Sequence, residues 1–142
     1  MTDAEEFIAI ADEEFRKDSF KEAHINYGRA LGRASTREGY CRRMRGMCSR
    51  RVAQQRLKLA RDNPDRLDEY IIQSARWLAK AEANLESALE DADPDQQRVL
   101  HEEQALTEEL MAEFMRLSGG DPARRLSEAA RYRKQASELL GA

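Results

Sequence analysis

The sequence predicts an all-α domain of six antiparallel helices, joined as helical hairpins into a short superhelix or bundle. Three observations carry this prediction. Apolar residues recur every three or four positions along each segment, and no segment alternates with the period of two that a strand requires. Charged residues make up 36% of the chain and aromatic residues 6%, a composition typical of long amphipathic helices. Capping signals separate the segments.

Capping patterns in the sequence predict six helix starts. A Ser or Thr stands three positions before a Glu in residues 2–5, 19–22 and 35–38, which is the pattern of a capping box. Asn63, Asp93 and Asp121 each precede a proline, which is favoured at the first helical position. The predicted helices are 3–17, 19–34, 36–61, 64–91, 94–118 and 122–140. Their short connections predict three successive hairpins, 3–34, 36–91 and 94–140, within one domain of residues 1–142.

A chain of 142 residues buries about two-thirds of its unfolded surface without a metal or disulfide. Cys41 and Cys48 lie on one predicted helix, roughly 10 Å apart, so they cannot bond to each other. We expect both to be reduced, partly buried thiols.

The first hairpin has a characteristic pattern of aromatic and small residues. Phe7, Ala11 and Phe15 fall on its first helix, and its second helix carries Phe20, Ala23, Tyr27, Ala30 and Leu31. Residues 4–34 thereby resemble one tetratricopeptide repeat (TPR), with Phe7 at the family's tryptophan position and Ala11 at its small residue. The hairpin is also similar to the one that opens the microtubule-interacting-and-trafficking domain, which stays as an alternative.

The resemblance is confined to this first quarter of the chain. Asp18 stands where the family usually has a turn glycine, and Ser35 lies near its closing proline. A position 34 residues after Ala30 is Pro64, so the key residues do not repeat at the period of an array. The remainder is expected to form longer hairpins of a TPR-like superhelix.

The resemblance implies a groove that holds a peptide or helix of another protein, with no catalysis and no cofactor. The polar clamp with which some family members bind a C-terminal carboxylate has no counterpart, because Phe7 and Ala11 occupy the inner helix.

Charge is strongly segregated. Residues 29–61 hold eleven basic residues, ten of them arginine, and one acid, Glu38, which leaves the rest of the chain with a balance of −13 and the whole with −3. On a helical wheel, the third helix has an apolar face of Tyr40, Met44, Met47, Cys48 and Val52. Arginine rows border it: Arg43, Arg50 and Arg61 on one side, and Arg42, Arg45 and Arg56 on the other. Arg51 falls inside the stripe and is expected to be buried against a carboxylate.

Four interpretations of these arginines stay open. They could pair internally, with Glu13 and Glu14 on the first helix or with Glu82, Glu86 and Glu90 on the fourth. They could bind an acidic partner protein, since arginine forks match carboxylates. Nucleic acid is disfavoured by the negative net charge, and an anionic membrane surface by the lack of Trp or Phe in the stripe.

Catalytic and metal signals are weak. His101 lacks the Glu-x-x-His spacing of di-metal bundles, Gly119 and Gly120 are interpreted as a helix stop, and His24 is expected at the surface or rim of the first hairpin. We therefore predict no enzyme and no metal site.

The first functional hypothesis is an adaptor for an acidic or amphipathic segment of a partner protein. Its expected contacts are Arg42, Arg43, Arg45, Arg50 and Arg56, with Tyr40 and Met44 as apolar surface. A second hypothesis is a self-assembling structural subunit, suggested by heptad-like spacing through Ile71, Ser74, Leu78, Ala81, Leu85 and Ala88. A third is weak nucleic-acid binding through the third helix.

The acidic start and the lack of a long uncharged stretch predict a cytoplasmic protein without a membrane span.

Overall fold

A computed structural model describes residues 3–33 and 37–140. Within these residues the chain forms six α-helices and no strand, as predicted. They are α1 (Ala4–Arg16), α2 (Phe20–Leu31), α3 (Glu38–Asp62), α4 (Leu67–Leu89), α5 (Pro94–Leu117) and α6 (Ala123–Leu140), with a 3₁₀ turn, Pro64–Arg66, between α3 and α4. No helix in the described part of the chain is sufficiently long and apolar to cross a membrane.

The capping predictions are confirmed in part. Asp93 and Gln96 form a complete capping box at α5, and the Asp121 side chain accepts from the amide of Ala123. At α1 the capping side chain is Asp3, which accepts from Glu6, whereas Thr2 lies outside the described residues, as does Ser35. Ser19 makes no side-chain cap at α2.

Asn63 was expected to cap the helix that follows it, and this prediction is wrong. Its side chain instead donates to the carbonyl of Leu59, at the end of α3. A 3₁₀ turn then separates Asn63 from α4, so its amide serves the preceding helix. At the α1–α2 turn, Asp18 has a φ of 61°, a left-handed conformation that glycine adopts more easily than other residues.

The odd-numbered helices run parallel to one another and form one layer. Arg50 pairs with Glu103, and Arg61 pairs with Glu113, so α3 and α5 run in the same direction. Tyr40 on α3 likewise contacts Asp12 on α1. The even-numbered helices form the second layer, in which α2 meets α4 and α4 meets α6. The molecule is a two-layered helical bundle, and α3 lies at the centre of the first layer.

Small residues allow the helices to approach closely. The core between α1, α2 and α3 combines Ala11, Ala23 and Ala30 with Tyr27, while Ala53, Leu78 and Met111 join α3, α4 and α5. A third cluster, around Leu85 and Leu100, fills the opposite end of the α4–α5 pair. Apolar burial of this kind is the main force that holds the layers together.

Both cysteines are free, as expected, and they are fully buried where partial burial was predicted. Burial raises the pKa of the Cys48 thiol to about 12 and also raises that of Cys41, so neither forms a thiolate readily at neutral pH. They act as small packing residues.

His24 was predicted at the surface or rim, and this prediction is wrong. It is buried, edge-on to the Trp77 ring at 5.2 Å, and its Nε2 lies 3.3 Å from the side-chain amide nitrogen of Asn84. Asn84 also donates to Ser49 on α3. His24 therefore belongs to a polar network that joins α2, α3 and α4.

This burial makes the stability of the fold sensitive to mild acid. Burial, reinforced by the charges of Arg45 and Lys80, lowers the pKa of His24 from 6.5 to about 4. Between these values the unfolded chain binds a proton at His24 that the folded chain does not bind, so acid favours unfolding. From pH 6.5 down to pH 4, the free energy of unfolding of the wild type should fall by about 3 kcal/mol more than that of His24→Gln. Urea unfolding at a series of pH values measures this difference, and parallel pH profiles for the two proteins would contradict it.

Candidate functional site

A groove runs between the first half of α3 and the start of α5. Its volume is about 430 Å³. From α3 it is lined by Tyr40, Arg43, Met44 and Met47, and from α5 by Asp95, Gln96, Arg98, Val99 and Leu100. The methionines, valine and leucine provide an apolar floor, and two arginines stand at its edges. Because α3 and α5 are parallel neighbours, their facing side chains leave this concavity along the outer surface of their layer.

Three of the predicted contact residues lie together in this groove: Tyr40, Arg43 and Met44. The Tyr40 hydroxyl donates to Asp12 at 2.7 Å, and the Arg37 guanidinium lies 4.4 Å from the centre of its ring. Asp12 also accepts from the Tyr27 hydroxyl. Contacts from α1 and α2 thus hold the Tyr40 side chain in place at the end of the groove.

The other predicted contacts do not line the groove. Arg42 lies 3.3 Å from Asp91, in the connection between α4 and α5. Arg45 packs on α2 beside Gly28, and burial lowers its pKa. Arg45 and Arg56 each bury an Nε that has no hydrogen-bond partner. Arg45 is thus used in packing between α2 and α3.

Arg50 is inside the bundle, with 6% of its surface exposed. Its Nε and Nη2 donate to the two oxygens of Glu103 at 2.8 and 3.1 Å, and its Nη1 donates to Gln54. Glu103 is equally buried. This bidentate ion pair joins α3 to α5 beside the groove. The Arg50 guanidinium is therefore buried and not accessible to a partner protein.

The expectation of a buried Arg51 is wrong. Arg51 is exposed, and its guanidinium lies 5.5 Å from the centre of the Phe20 ring. The buried ion pair is made one position earlier, at Arg50, because successive side chains on a helix point about 100° apart. The sequence therefore predicted the type of contact but placed it on the wrong residue.

Internal pairing of the arginines takes place, but with acids other than the predicted ones. Besides Arg42 and Arg50, Arg37 pairs with Glu5 and Arg61 with Glu113. Of the predicted acids, Glu13 pairs with Arg16 and Lys17, Glu14 accepts from Asn26, and Glu82 pairs with Arg125. Among the described residues, Arg43, Arg51 and Lys58 have no ion-pair partner. The exposed face of α3 consequently keeps positive charge that no carboxylate of residues 3–33 and 37–140 pairs with.

The α5 side of the groove was not predicted from the sequence. Arg98 contacts Glu102 on its own helix at 3.4 Å, and its Nε is buried without a hydrogen-bond partner. Val99 is 38% exposed, a high value for a large apolar side chain beside methionines. These residues are about fifty positions from Met47 in sequence, so no local pattern connects them. Packing of α5 on α3 brings them together.

The described residues contain no group of three or more His, Cys, Asp or Glu side chains suited to hold a metal ion. His101 stacks on Tyr132, with ring centres 6.1 Å apart, and its Nδ1 lies 2.9 Å from the Gln104 side-chain oxygen. This histidine is thus engaged between α5 and α6.

Comparison of the chain with models of protein families, with curated proteins and with solved structures finds no significant match. The function must therefore be inferred from the residues and their geometry.

Proposed function

We propose that this chain is a non-catalytic interaction module of TPR-like architecture, whose α3–α5 groove binds an acidic, amphipathic segment of a partner protein. One observation carries the proposal: the groove combines an exposed apolar floor with a rim arginine, Arg43, that has no ion-pair partner among the described residues. Such a site matches a ligand that has an aliphatic anchor next to a carboxylate.

The apolar floor supplies affinity. Burying one Leu- or Met-sized anchor against Met44, Met47 and Val99 is worth about 1.5–3 kcal/mol. The rim supplies selectivity and a faster encounter, since the planar guanidinium of Arg43 accommodates a carboxylate in a fixed geometry. An extended or helical segment could satisfy both requirements.

A protein segment fits this groove better than a nucleic acid does. Asp95 lies in the lining, where it would repel a backbone that carries a phosphate at every residue, whereas a peptide can place its acidic residues at Arg43 and away from Asp95. The floor is formed by methionine, valine and leucine, and Tyr40 is tied to Asp12, so no free aromatic platform is available for stacking on bases.

The structure offers less support for self-assembly through α4. Of the residues that suggested a heptad seam, five are buried within the chain and Ile71 is half-buried; the buried ones are Ser74, Leu78, Ala81, Leu85 and Ala88. The stripe packs on other helices of the same molecule.

A charge-and-polarity variant of the groove tests the proposal. Arg43→Glu combined with Met47→Gln should lower the affinity for the partner segment at least tenfold, because it reverses the rim charge and removes part of the floor. Native lysate is passed over the wild type and the variant, and each protein recovered is then scanned as an array of overlapping peptides. We expect a peptide with aliphatic and acidic residues to bind the wild type and to be lost with the variant.

Arg76→Glu is the control matched in net charge, since Arg76 is exposed and has no ion-pair partner among the described residues. This control should retain binding. Equal binding of the mapped peptide by the groove variant would reject the groove as the site, and recovery of the chain alone, with no bound peptide, would reject the adaptor function.

A further inference from the structure

The exposed face of α3 continues beyond the groove. At about 100° per residue, Met47, Arg51, Gln54 and Lys58 fall within roughly 60° of one another around the helix axis. Arg51, Gln54 and Lys58 are exposed. The face that carries the apolar floor at one end therefore carries cations and amides at the other end.

A second concavity lies at this cationic end, with a volume of about 280 Å³. It is lined by Asp18 and Phe20 at the α1–α2 turn and by Arg51, Gln54, Gln55, Lys58 and Arg61 of α3. The Phe20 ring supports the Arg51 guanidinium from below, at 5.5 Å. Arg61 is held by Glu113, whereas Arg51 and Lys58 have no ion-pair partner in residues 3–33 and 37–140. Asp18 is the one acidic residue in this lining, so the lining as a whole is positively charged.

The two concavities share α3 but are flanked by different helices. The first is closed by the start of α5, and the second by the α1–α2 turn. A line along α3 from Met44 to Lys58 passes through both and covers about 21 Å at 1.5 Å per residue.

We infer that the exposed face of α3 is one two-part docking site, which selects partner segments with an aliphatic anchor at one end and acidic residues at the other. This inference rests on the proposed function and specifies its ligand. The anchor occupies the floor of Met44, Met47 and Val99. The acidic residues bind to Arg51 and Lys58.

The spacing follows from the helix geometry. The centres of the two halves are about nine residues apart along α3, or about 14 Å. An extended segment covers that distance in about four residues and a helical one in about nine. The site should therefore discriminate the order and the separation of anchor and acid as well as overall composition.

The two halves should respond differently to salt. Charge interactions at exposed Arg51 and Lys58 are screened when ionic strength rises, whereas apolar contacts at Met47 and Val99 are not. A ligand that uses both halves loses part of its affinity in high salt and keeps the apolar contribution.

Selection from a displayed library of random twelve-residue peptides, on the immobilised full chain, tests the inference. We expect enriched peptides to contain an aliphatic residue and at least two acids at a recurring separation. Enrichment of aliphatic and acidic residues with the acids only next to the anchor, or at no recurring separation from it, would overturn the two-part site and leave the adaptor proposal standing. Failure to enrich any peptide would overturn both.

Variants assign each half of the ligand to its half of the site. Arg51→Glu with Lys58→Glu should lower affinity for a selected peptide at least tenfold and remove the loss of affinity in high salt that these two cations cause, while Arg43 keeps its own contribution and aliphatic residues stay enriched in a repeated selection. Met47→Gln with Val99→Gln should remove the aliphatic preference and keep the acidic one. The control for the charge reversal is Arg76→Glu with Arg124→Glu, at two exposed arginines without an ion-pair partner among the described residues. It changes the net charge as much as Arg51→Glu with Lys58→Glu does and should behave as the wild type.

Single-stranded oligothymidine is the competing probe. If it binds as tightly as the selected peptides, and if Arg51→Glu with Lys58→Glu abolishes that binding, the site recognises polyanions in general and the inference fails. Circular dichroism of every variant confirms that helicity is unchanged.

Discussion

Glu103→Ala should destabilise the fold by about 3–5 kcal/mol, because it leaves the Arg50 guanidinium charged and without its carboxylate inside the bundle. Arg50 and Glu103 are 6% and 7% exposed, so water cannot replace the lost hydrogen bonds without opening the α3–α5 contact. Urea unfolding followed by circular dichroism at 222 nm measures the loss. Arg50→Ala should cost a similar amount, since it isolates the carboxylate instead.

The double variant Arg50→Met with Glu103→Leu distinguishes pairing from simple packing. Both charges are gone and the volume is largely kept, so its stability should be close to that of the wild type or above it. A loss equal to the sum of the two single alanine substitutions would contradict this account. The matched control is Arg61→Ala, which breaks a pair between the same two helices at a half-exposed site and should cost at most about 1 kcal/mol.

Gly46→Leu should prevent α3 from packing on α4 and leave the chain largely unfolded. Even a Cβ at Gly46 would lie 2.6 Å from Cδ2 of Leu85, 2.9 Å from its Cγ and 3.3 Å from its backbone nitrogen. Movement of the Leu85 side chain relieves only part of this overlap, because the backbone of α4 is also close. The remaining carbon atoms of a leucine would need space in a core that is already filled.

Alanine substitutions at two helical glycines, Gly46 and Gly28, distinguish the effect of steric overlap on stability from the effect of helix propensity. Gly46→Ala should destabilise by about 1–3 kcal/mol through overpacking. Gly28→Ala, also inside a helix, should stabilise by about 0.5–1 kcal/mol, because its new Cβ would meet the Arg45 guanidinium no closer than 3.5 Å, an ordinary contact. Thermal unfolding measures both, and a stabilising Gly46→Ala would show that α3 and α4 are less closely packed.

The groove links these stability predictions to function. The Arg50–Glu103 pair and the close approach at Gly46 set the position of α3 against α5 and α4. Arg43 and Val99 reach the two sides of one groove only while that position is kept. Substitutions in the buried pair are therefore expected to weaken ligand binding through altered geometry, without contact to the ligand.

The sequence by itself determined the helices and their approximate ends. Apolar spacing, the Asp93 capping box and the glycines after α5 act within a few residues of one another, so they can be interpreted without the rest of the chain. The burial of Cys41 and Cys48 was predicted for the same reason. Segregation of positive charge onto α3 is likewise a property of the chain alone.

Tertiary structure decided which of these residues meet. The burial of Arg50 and not Arg51 depends on how α3 is rotated about its axis, and one position changes a side chain's direction by about 100°. His24 is buried because α4 brings Trp77 and Asn84 against it. Arg98 and Val99 join the groove because α5 lies parallel to α3. Local patterns fix a helix and its amphipathic face, whereas contacts between residues fifty positions apart depend on how the whole set of helices packs.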